Sequence, residues 1–210
     1  MIEPQIAATF FADDASPGQL AHRLVWHWLV ERRWTLTDYL AIFGDYNGLV
    51  EIVDGQLVIH DMPGTEHQSI LLNIAALLRA STAGKAFIAA LPVRLTDGTV
   101  REPDVLFFAT AHLDRVHDTY VDPPDLAVEV ISPSRSGRKR DLIEKRAEYA
   151  RSGIPEYWIV DPKARDVLVL RLDAGTESGP YREVGRYAGD DVVTALAAPD
   201  VAMRVADLFV

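Results

Sequence analysis

Cysteine is absent from this sequence of 210 residues. Its absence excludes a disulfide framework, a zinc ribbon and a thiol nucleophile. The sequence also lacks any run of about 18 apolar residues, so we expect no segment that spans a membrane. Basic residues are comparatively few: 21 Lys and Arg stand against 31 Asp and Glu, which gives a net charge of −10. This excess argues against a protein that coats nucleic acid through a broad positive surface, but it leaves room for a local basic patch.

The remaining composition is that of an ordinary globular protein. Apolar residues make up 49% of the chain and charged residues 25%, which is enough apolar material to form a core. The length suits one compact domain. The first 16 residues contain three carboxylates and no basic residue, unlike a secretory signal, so we expect a cytoplasmic protein.

Residues 17–33 are predicted to form an amphipathic helix. Ser16 is suited to the N-cap, and apolar side chains follow at four-residue steps: Leu20, Leu24 and Trp28. We therefore divide the chain into an N-terminal extension, residues 1–33, and one domain, residues 34–210. The apolar face of this helix must be covered by its own domain or by a partner chain. Because two-fold dimers are the commonest oligomers, we expect a homodimer.

The rest of the chain mixes helices and strands. Asp54-Gly55 between two apolar runs predicts a hairpin, because both central residues of a type I′ turn need positive φ. Helices are predicted over residues 35–42, 66–79 and 139–152. Strands are predicted over residues 50–53, 56–60, 86–95, 104–109, 126–132, 156–161, 166–172 and 181–187. This order predicts an α/β fold in which a mixed β-sheet is flanked by helices.

Two carboxylates lie at informative positions in these strands. Asp104 opens the apolar run of residues 105–108, and Glu129 lies inside another apolar strand. An unpaired buried glutamate is costly, so Glu129 either faces water on an edge strand or pairs with another group. In the second case Asp104 and Glu129 hold a cation at the ends of adjacent strands. Oxygen ligands without cysteine suit Mg²⁺ or Mn²⁺.

The order of several sequence blocks resembles that of a known family. Pro103-Asp104, followed by Glu129 25 positions after Asp104, resembles a variant PD-(D/E)xK nuclease motif. The full set of blocks resembles the Uma-type family of restriction-endonuclease-like proteins. These blocks are residues 51–58, 66–68, 101–105, 125–133, 141–149 and 153–161. The resemblance implies a restriction-endonuclease-like core and a Mg²⁺-dependent site that cleaves phosphodiester bonds.

The resemblance also implies roles for residues near the motif. Asp104 and Glu129 would hold the metal, and the main-chain carbonyl of Val130 would add a ligand. The sequence departs from the motif at Ile131, where the standard pattern has lysine. Lys145 on the following helix is the expected substitute, because the family places a lysine there. From the residues alone, a solvated pair between Lys145 and Asp141, four positions earlier, is favoured instead.

Two further side chains are candidates for the same site. The resemblance implies that Glu51 adds another carboxylate, whereas the alternation of its strand equally suits an exposed position. His67 lies on the apolar face of its helix, where a lone histidine is usually a core residue. The resemblance places His67 beside the site, where it would orient the substrate or a metal ligand.

One dense basic cluster follows the Glu129 strand: Arg135, Arg138, Lys139 and Arg140. Such a run is usually a solvated loop. Positive charge at a helix start is opposed by the helix dipole, which favours a phosphate partner. The cluster is therefore a candidate contact for a nucleic-acid backbone.

Three functional hypotheses remain. The first is a Mg²⁺-dependent or Mn²⁺-dependent endonuclease that hydrolyses phosphodiester bonds of nucleic acid, with DNA as the expected substrate. The second is a catalytically silent binding module that has kept the nuclease fold, for which Ile131 is the best argument. The third uses Asp104 and Glu129 as an acid/base pair on a sugar. That hypothesis predicts metal-independent activity and aromatic platforms near the carboxylates, and the sequence shows no clear platform.

Overall fold

The computed structural model describes residues 32–43, 50–60, 62–131, 140–173 and 179–210. The predicted helix over residues 17–33 lies outside these ranges except for its last two positions, so it stays a prediction. Arg135, Arg138 and Lys139 of the basic cluster also lie outside the described residues.

Three α-helices and twelve strands form the regular elements of the described chain. The helices are α1 (Leu36–Phe43), α2 (Thr65–Arg79) and α3 (Lys145–Arg151). A π-helical turn, Arg140–Glu144, leads directly into α3, and 3₁₀ helices span Thr110–Arg115 and Val205–Phe209. The strands are β1 (Val50–Val53), β2 (Gln56–Ile59), β3 (Gly84–Ile88), β4 (Val93–Thr96), β5 (Thr99–Arg101), β6 (Val105–Ala109), β7 (Leu126–Val130), β8 (Glu156–Asp161), β9 (Asp166–Arg171), β10 (Arg182–Ala188), β11 (Val192–Ala195) and β12 (Ala198–Arg204).

A six-stranded mixed sheet forms the centre of the fold. Its strand order is β10-β9-β8-β7-β6-β3. Strands β7 and β8 are parallel, and the other neighbouring pairs are antiparallel. A parallel pair needs a crossover connection, and the π-helical turn with α3 lies in the connection between β7 and β8. The element that carries Lys145 is therefore placed against the strand that carries Glu129.

A second, four-stranded sheet has the order β2-β1-β5-β4. Its β1–β2 hairpin turns at Asp54 (φ 49°) and Gly55 (φ 78°), which confirms the predicted turn with two positive φ angles. Helix α1 packs on this sheet through a small apolar cluster that includes Trp34, Tyr39 and Ile52.

The two faces of the central sheet are covered differently. Helix α2 and the β11–β12 hairpin cover one face, where Ile74, Val128 and Trp158 belong to a large apolar cluster. Helix α3 covers the other face, where apolar side chains such as Ile159 pack beside Tyr149. Along β7, Val128 and Val130 point to the first face, whereas Ala127 points to the second. The alternation of the strand places Glu129 on the second face, together with Ala127.

Most predicted elements are confirmed within a few residues, but the strand predicted over residues 86–95 is wrong. This segment forms two strands, β3 and β4, which belong to different sheets. The break falls at residues 89–92, where Pro92 lacks the N–H that a continuous ladder would need. The sequence analysis did not identify β5, β11 and β12, which are short or mostly exposed. Among the described residues, no helix is long and apolar enough to cross a membrane.

Candidate metal and phosphodiester site

Asp104 and Glu129 lie opposite each other on neighbouring strands. Strands β6 and β7 pair with Val105 opposite Val128, and one further step of this register sets Asp104 opposite Glu129. Directly opposed residues of antiparallel strands share a face of the sheet. At the start of β6, the Asp104 side chain replaces a ladder carbonyl: the Val130 N–H donates to Asp104 Oδ2 over 2.7 Å. The fold therefore brings the two predicted metal ligands together.

His67 on α2 contacts the other oxygen of Asp104. Its Nε2 lies 2.9 Å from Asp104 Oδ1. Burial alone would lower the pKa of His67, but the hydrogen bond and the charge of Asp104 outweigh it and raise this pKa. Thus His67 lies next to the predicted ligand, where it orients the carboxylate of Asp104.

Glu129 is buried, with 4% of its surface exposed. Both of its hydrogen bonds go to one oxygen: Lys145 Nζ donates to Oε1 over 2.8 Å, and the Tyr149 hydroxyl donates to Oε1 over 2.6 Å. Within the described ranges, no protein donor reaches Oε2. Burial raises the pKa of Glu129; Lys145 opposes this rise, and the charge of Asp104 adds to it. Oε2 is therefore the oxygen with free acceptor capacity.

Lys145 is almost fully buried within a group of carboxylates. Its Nζ lies 2.8 Å from Glu129, 3.4 Å from Glu51 and 3.9 Å from Asp141. Burial alone would lower the pKa of Lys145, but these three carboxylates reverse the effect and raise it. The solvated surface pair that the residues alone favoured is wrong, because Lys145 is buried and contacts Glu129.

Glu51 is also buried, so the alternative of an exposed strand position is wrong. Its Oε2 lies 2.7 Å from both Arg101 Nη1 and His60 Nε2, and its Oε1 accepts a 3.0 Å hydrogen bond from the Glu102 N–H. Burial would raise the pKa of Glu51, but the charges of Lys145 and Arg101 and the His60 hydrogen bond hold this pKa well below its usual range. Glu51 thus anchors the cations of the site.

Arg101 joins the second sheet to α3. It is 1% exposed, and besides Glu51 it contacts Glu148 through Nε at 2.7 Å and Nη2 at 2.8 Å. A bidentate pair of this kind fixes the helix geometrically as well as electrostatically. Because Glu148 and Lys145 are both on α3, the Arg101 pair also sets the position of Lys145.

Negative charge is in excess around Lys145. Among the described residues, the carboxylates of this group are those of Glu51, Asp104, Glu129, Asp141 and Glu148, whereas the permanent cations in contact with them are Lys145, Arg101 and Arg140. Buried charge without compensation is unfavourable, so such a site favours the entry of a cation.

The side chains offer a cation two carboxylate ligands and not a complete coordination shell. Within the described part of the chain, no group of three or more His, Asp or Glu side chains has a metal-binding arrangement. Mg²⁺ commonly uses one or two carboxylates and keeps several water ligands. The pair of Asp104 and Glu129 fits that kind of coordination.

The three remaining predicted positions are placed as follows. Ile131 is 4% exposed and packs in the apolar cluster under α3, so no charged group occupies the motif-lysine position. The N–H of Val130 points to Asp104, and in an extended strand the carbonyl of the same residue points to the same edge. Of the basic cluster, Arg140 is described; its Nε lies 3.9 Å from Asp141.

Sequence reasoning missed several residues of the site. Tyr149 could have been predicted, because Asp141, Lys145 and Tyr149 recur at four-residue steps and therefore share a helix face. Arg101 carried no such signal, since its partners Glu51 and Glu148 lie 50 and 47 positions away.

Comparison with known proteins places the chain in a family. Residues 38–206 match the Uma2 family model, which is described as "Putative restriction endonuclease". A solved structure from Anabaena variabilis ATCC 29413, described as "a putative nuclease belonging to DUF820", has a TM-score of 0.66 and 20% identity, over 83% of this chain and 97% of that chain. None of the curated proteins matches. These likenesses confirm the predicted restriction-endonuclease-like α/β fold. Because the family model matches most of the length of this chain, the chain belongs to the Uma2 family.

Proposed function

We propose that this protein is an endonuclease that hydrolyses DNA phosphodiester bonds with the help of Mg²⁺ or Mn²⁺. The observation that carries this proposal is the buried Lys145–Glu129 contact of 2.8 Å on the sheet face that Asp104 also shares. Two carboxylates and a lysine are the side chains that a metal-dependent nuclease needs at one point. The membership in the Uma2 family supports the same reaction class.

Asp104, Oε2 of Glu129 and the carbonyl of Val130 would hold the cation. When bound, the cation supplies charge neutralisation at the phosphate and a more acidic water molecule. Asp104 keeps its orientation through the His67 and Val130 contacts, and Glu129 keeps its orientation through donors to Oε1. Both carboxylates are thus pre-positioned by the protein.

Lys145 takes the role of the lysine that the motif lacks at Ile131. Its raised pKa keeps the ammonium charged at neutral pH, so Lys145 acts as a positive charge and hydrogen-bond donor and not as a proton acceptor. It would orient the attacking water and stabilise charge that develops on the phosphate. Glu51 holds Lys145 in place, at 3.4 Å.

We also propose a nucleic-acid contact, an oligomeric state and a cellular location for the protein. The cluster Arg135, Arg138, Lys139 and Arg140 follows β7 in the chain, and we expect its positive charges to contact a DNA backbone. Two-fold symmetry suits the cleavage of two strands, so we expect a homodimer in which each protomer supplies one site. We expect the protein to act in the cytoplasm.

Cleavage by a Lys145→Ala variant tests the proposal. With supercoiled plasmid and Mg²⁺ or Mn²⁺, the wild-type protein should cleave and EDTA should stop it. Lys145→Ala should lower the rate by about 100-fold or more, because the charge at the phosphate is lost. Mn²⁺ binding should remain detectable by calorimetry, because Asp104 and Glu129 are still present. Lys163→Ala is the matched control, since Lys163 is exposed, and it should cleave like the wild type.

A second variant separates the two nuclease-fold hypotheses. Adding Ile131→Lys to Lys145→Ala returns an ammonium to the motif position and should restore part of the activity. Unchanged cleavage in Lys145→Ala would contradict the role of Lys145. A wild-type protein that binds Mn²⁺ and DNA without cleaving would instead support the silent binding module.

A further inference from the structure

Tyr149 contacts the proposed metal ligand directly. Its side chain is fully buried, and its hydroxyl donates to Glu129 Oε1 over 2.6 Å. Tyr149 lies one helical turn after Lys145 on α3, so both residues approach Glu129 from the same side. Lys145 and Tyr149 consequently donate to the same carboxylate oxygen.

Two donors on one oxygen restrict a motion that one donor permits. The terminal torsion of a glutamate is broad, so a carboxylate that is held by a single donor can rotate about that contact and turn its other oxygen away from a ligand. A hydroxyl and an ammonium that converge on Oε1 oppose this rotation. The protein thereby keeps Oε2 free of protein donors, within the described residues.

We propose that Tyr149 is a positioning residue of the metal site: together with Lys145 it fixes the Glu129 carboxylate so that Oε2 remains the oxygen that binds the cation. This inference rests on the proposed function, since it concerns the same site. It assigns a role to a residue outside the nuclease motif.

Packing alone does not account for the Tyr149 hydroxyl. The Tyr149 ring packs edge-on against Tyr157 with centroids 5.1 Å apart, a contact that a phenylalanine would also make. The neighbouring tyrosines of this core satisfy their hydroxyls with main-chain carbonyls: Tyr157 donates to Asp141 over 2.9 Å, and Tyr181 donates to Ile154 over 2.7 Å. Tyr149 differs because its acceptor is the carboxylate that we assign to the cation.

Tyr149→Phe in the full chain tests this role, with Tyr181→Phe as the matched control. Both changes remove one hydroxyl from a buried tyrosine of the same apolar core. Titration with Mn²⁺ by calorimetry should give a Kd about 10-fold higher for Tyr149→Phe, the lower end of the usual effect of a residue that orients a metal ligand. Tyr181→Phe should stay within about twofold of the wild type, because its hydroxyl donates to the main-chain carbonyl of Ile154 and not to a carboxylate of the site.

Thermal unfolding separates positioning from a merely structural role. Without metal, both variants lose one buried hydrogen bond and should lose similar stability. With Mn²⁺, the rise in Tm should be smaller for Tyr149→Phe than for Tyr181→Phe, because stabilisation by a bound ligand grows with the logarithm of its concentration divided by Kd. Cleavage by Tyr149→Phe should also need a correspondingly higher Mn²⁺ concentration for half of its maximal rate.

Equal Mn²⁺ affinity in Tyr149→Phe and the wild type would overturn the inference while leaving the proposed function intact. A wild-type protein that binds no Mn²⁺ would overturn both.

A crystal of the wild-type protein soaked with Mn²⁺ tests the same inference without any variant. Coordination through Oε2 with the Tyr149–Oε1 bond retained is the expected outcome, and coordination through Oε1 would overturn the inference.

Discussion

Glu129 and Glu156 are both buried glutamates on the adjacent parallel strands β7 and β8, yet their surroundings differ. Glu129 is 4% exposed and Glu156 is fully buried. Glu129 contacts Lys145 and Tyr149 of α3, whereas Glu156 pairs in register with Leu126, whose side chain belongs to the opposite, apolar face. Burial alone therefore does not distinguish the two carboxylates.

The hydrogen-bond donors do distinguish them. Glu156 Oε1 accepts from Trp158 Nε1 and from Nε and Nη2 of Arg171, at 2.9 to 3.0 Å, and Glu156 Oε2 accepts from the Leu196 N–H over 2.6 Å. Both oxygens are thus engaged, and Glu156 ties the β11–β12 hairpin to the central sheet. In Glu129, donors engage Oε1 alone among the described residues. We interpret Glu156 as a structural anchor and Glu129 as a ligand.

The same substitution should therefore have opposite consequences at the two positions. Glu129→Gln should lower the cleavage rate by about 1,000-fold or more, since a cation contributes several kcal/mol to such reactions. Lys145 and Tyr149 require an acceptor at the Oε1 position, so the amide nitrogen of the substituted side chain takes the place of Oε2, where it cannot bind a cation. The free energy of unfolding should change by less than about 1 kcal/mol, because Lys145 keeps the carboxylates of Glu51 and Asp141 as partners when the charge of Glu129 is removed.

Glu156→Gln should have the smaller effect on activity and the larger effect on stability. A glutamine can place only one oxygen, so its amide nitrogen must face either Leu196 N–H or the Trp158 and Arg171 donors. We expect a loss of about 3 kcal/mol in the free energy of unfolding, measured by urea denaturation. Cleavage by the folded fraction should remain within about threefold of the wild type.

The comparison fails if the two variants behave alike. A Glu129→Gln protein that loses as much stability as Glu156→Gln would make Glu129 a structural anchor. A Glu156→Gln protein that folds normally but does not cleave would place Glu156 in the catalytic machinery. Urea denaturation and plasmid cleavage, measured on the same preparations, decide between these outcomes.

Much of the fold follows from local sequence patterns. The apolar runs of β6, β7 and β8, the helical period of α2 and the Asp54-Gly55 turn all depend on neighbours in the chain, and the structure contains each of them. The strands β3 and β4 were predicted as one because their shared apolar alternation does not reveal a change of sheet. The edge elements β11 and β12 are mostly exposed, so they lack a strong apolar pattern.

The site was less accessible from local patterns. The spacing of Asp141 and Lys145 is the same in a solvated pair and in a buried cluster, so only the order of family motifs indicated that Lys145 belongs to the site. Whether Lys145 is buried depends on Arg101 and Glu51, which come from another sheet and lie far away in sequence. Glu129 and Glu156 have similar apolar neighbours along the chain, and their different donors are set by tertiary packing alone.

The most direct test of the central claim is the anomalous scattering of Mn²⁺ in a crystal of the wild-type protein soaked with MnCl₂. We expect one peak at about 2.0–2.6 Å from an oxygen of Asp104 and from Oε2 of Glu129, with Lys145 still donating to Oε1. A Mn²⁺ peak at other residues would contradict the proposed site. Carboxyl groups of Asp104 and Glu129 more than about 8 Å apart on opposite faces of the sheet would also contradict it, because one ion cannot then reach both.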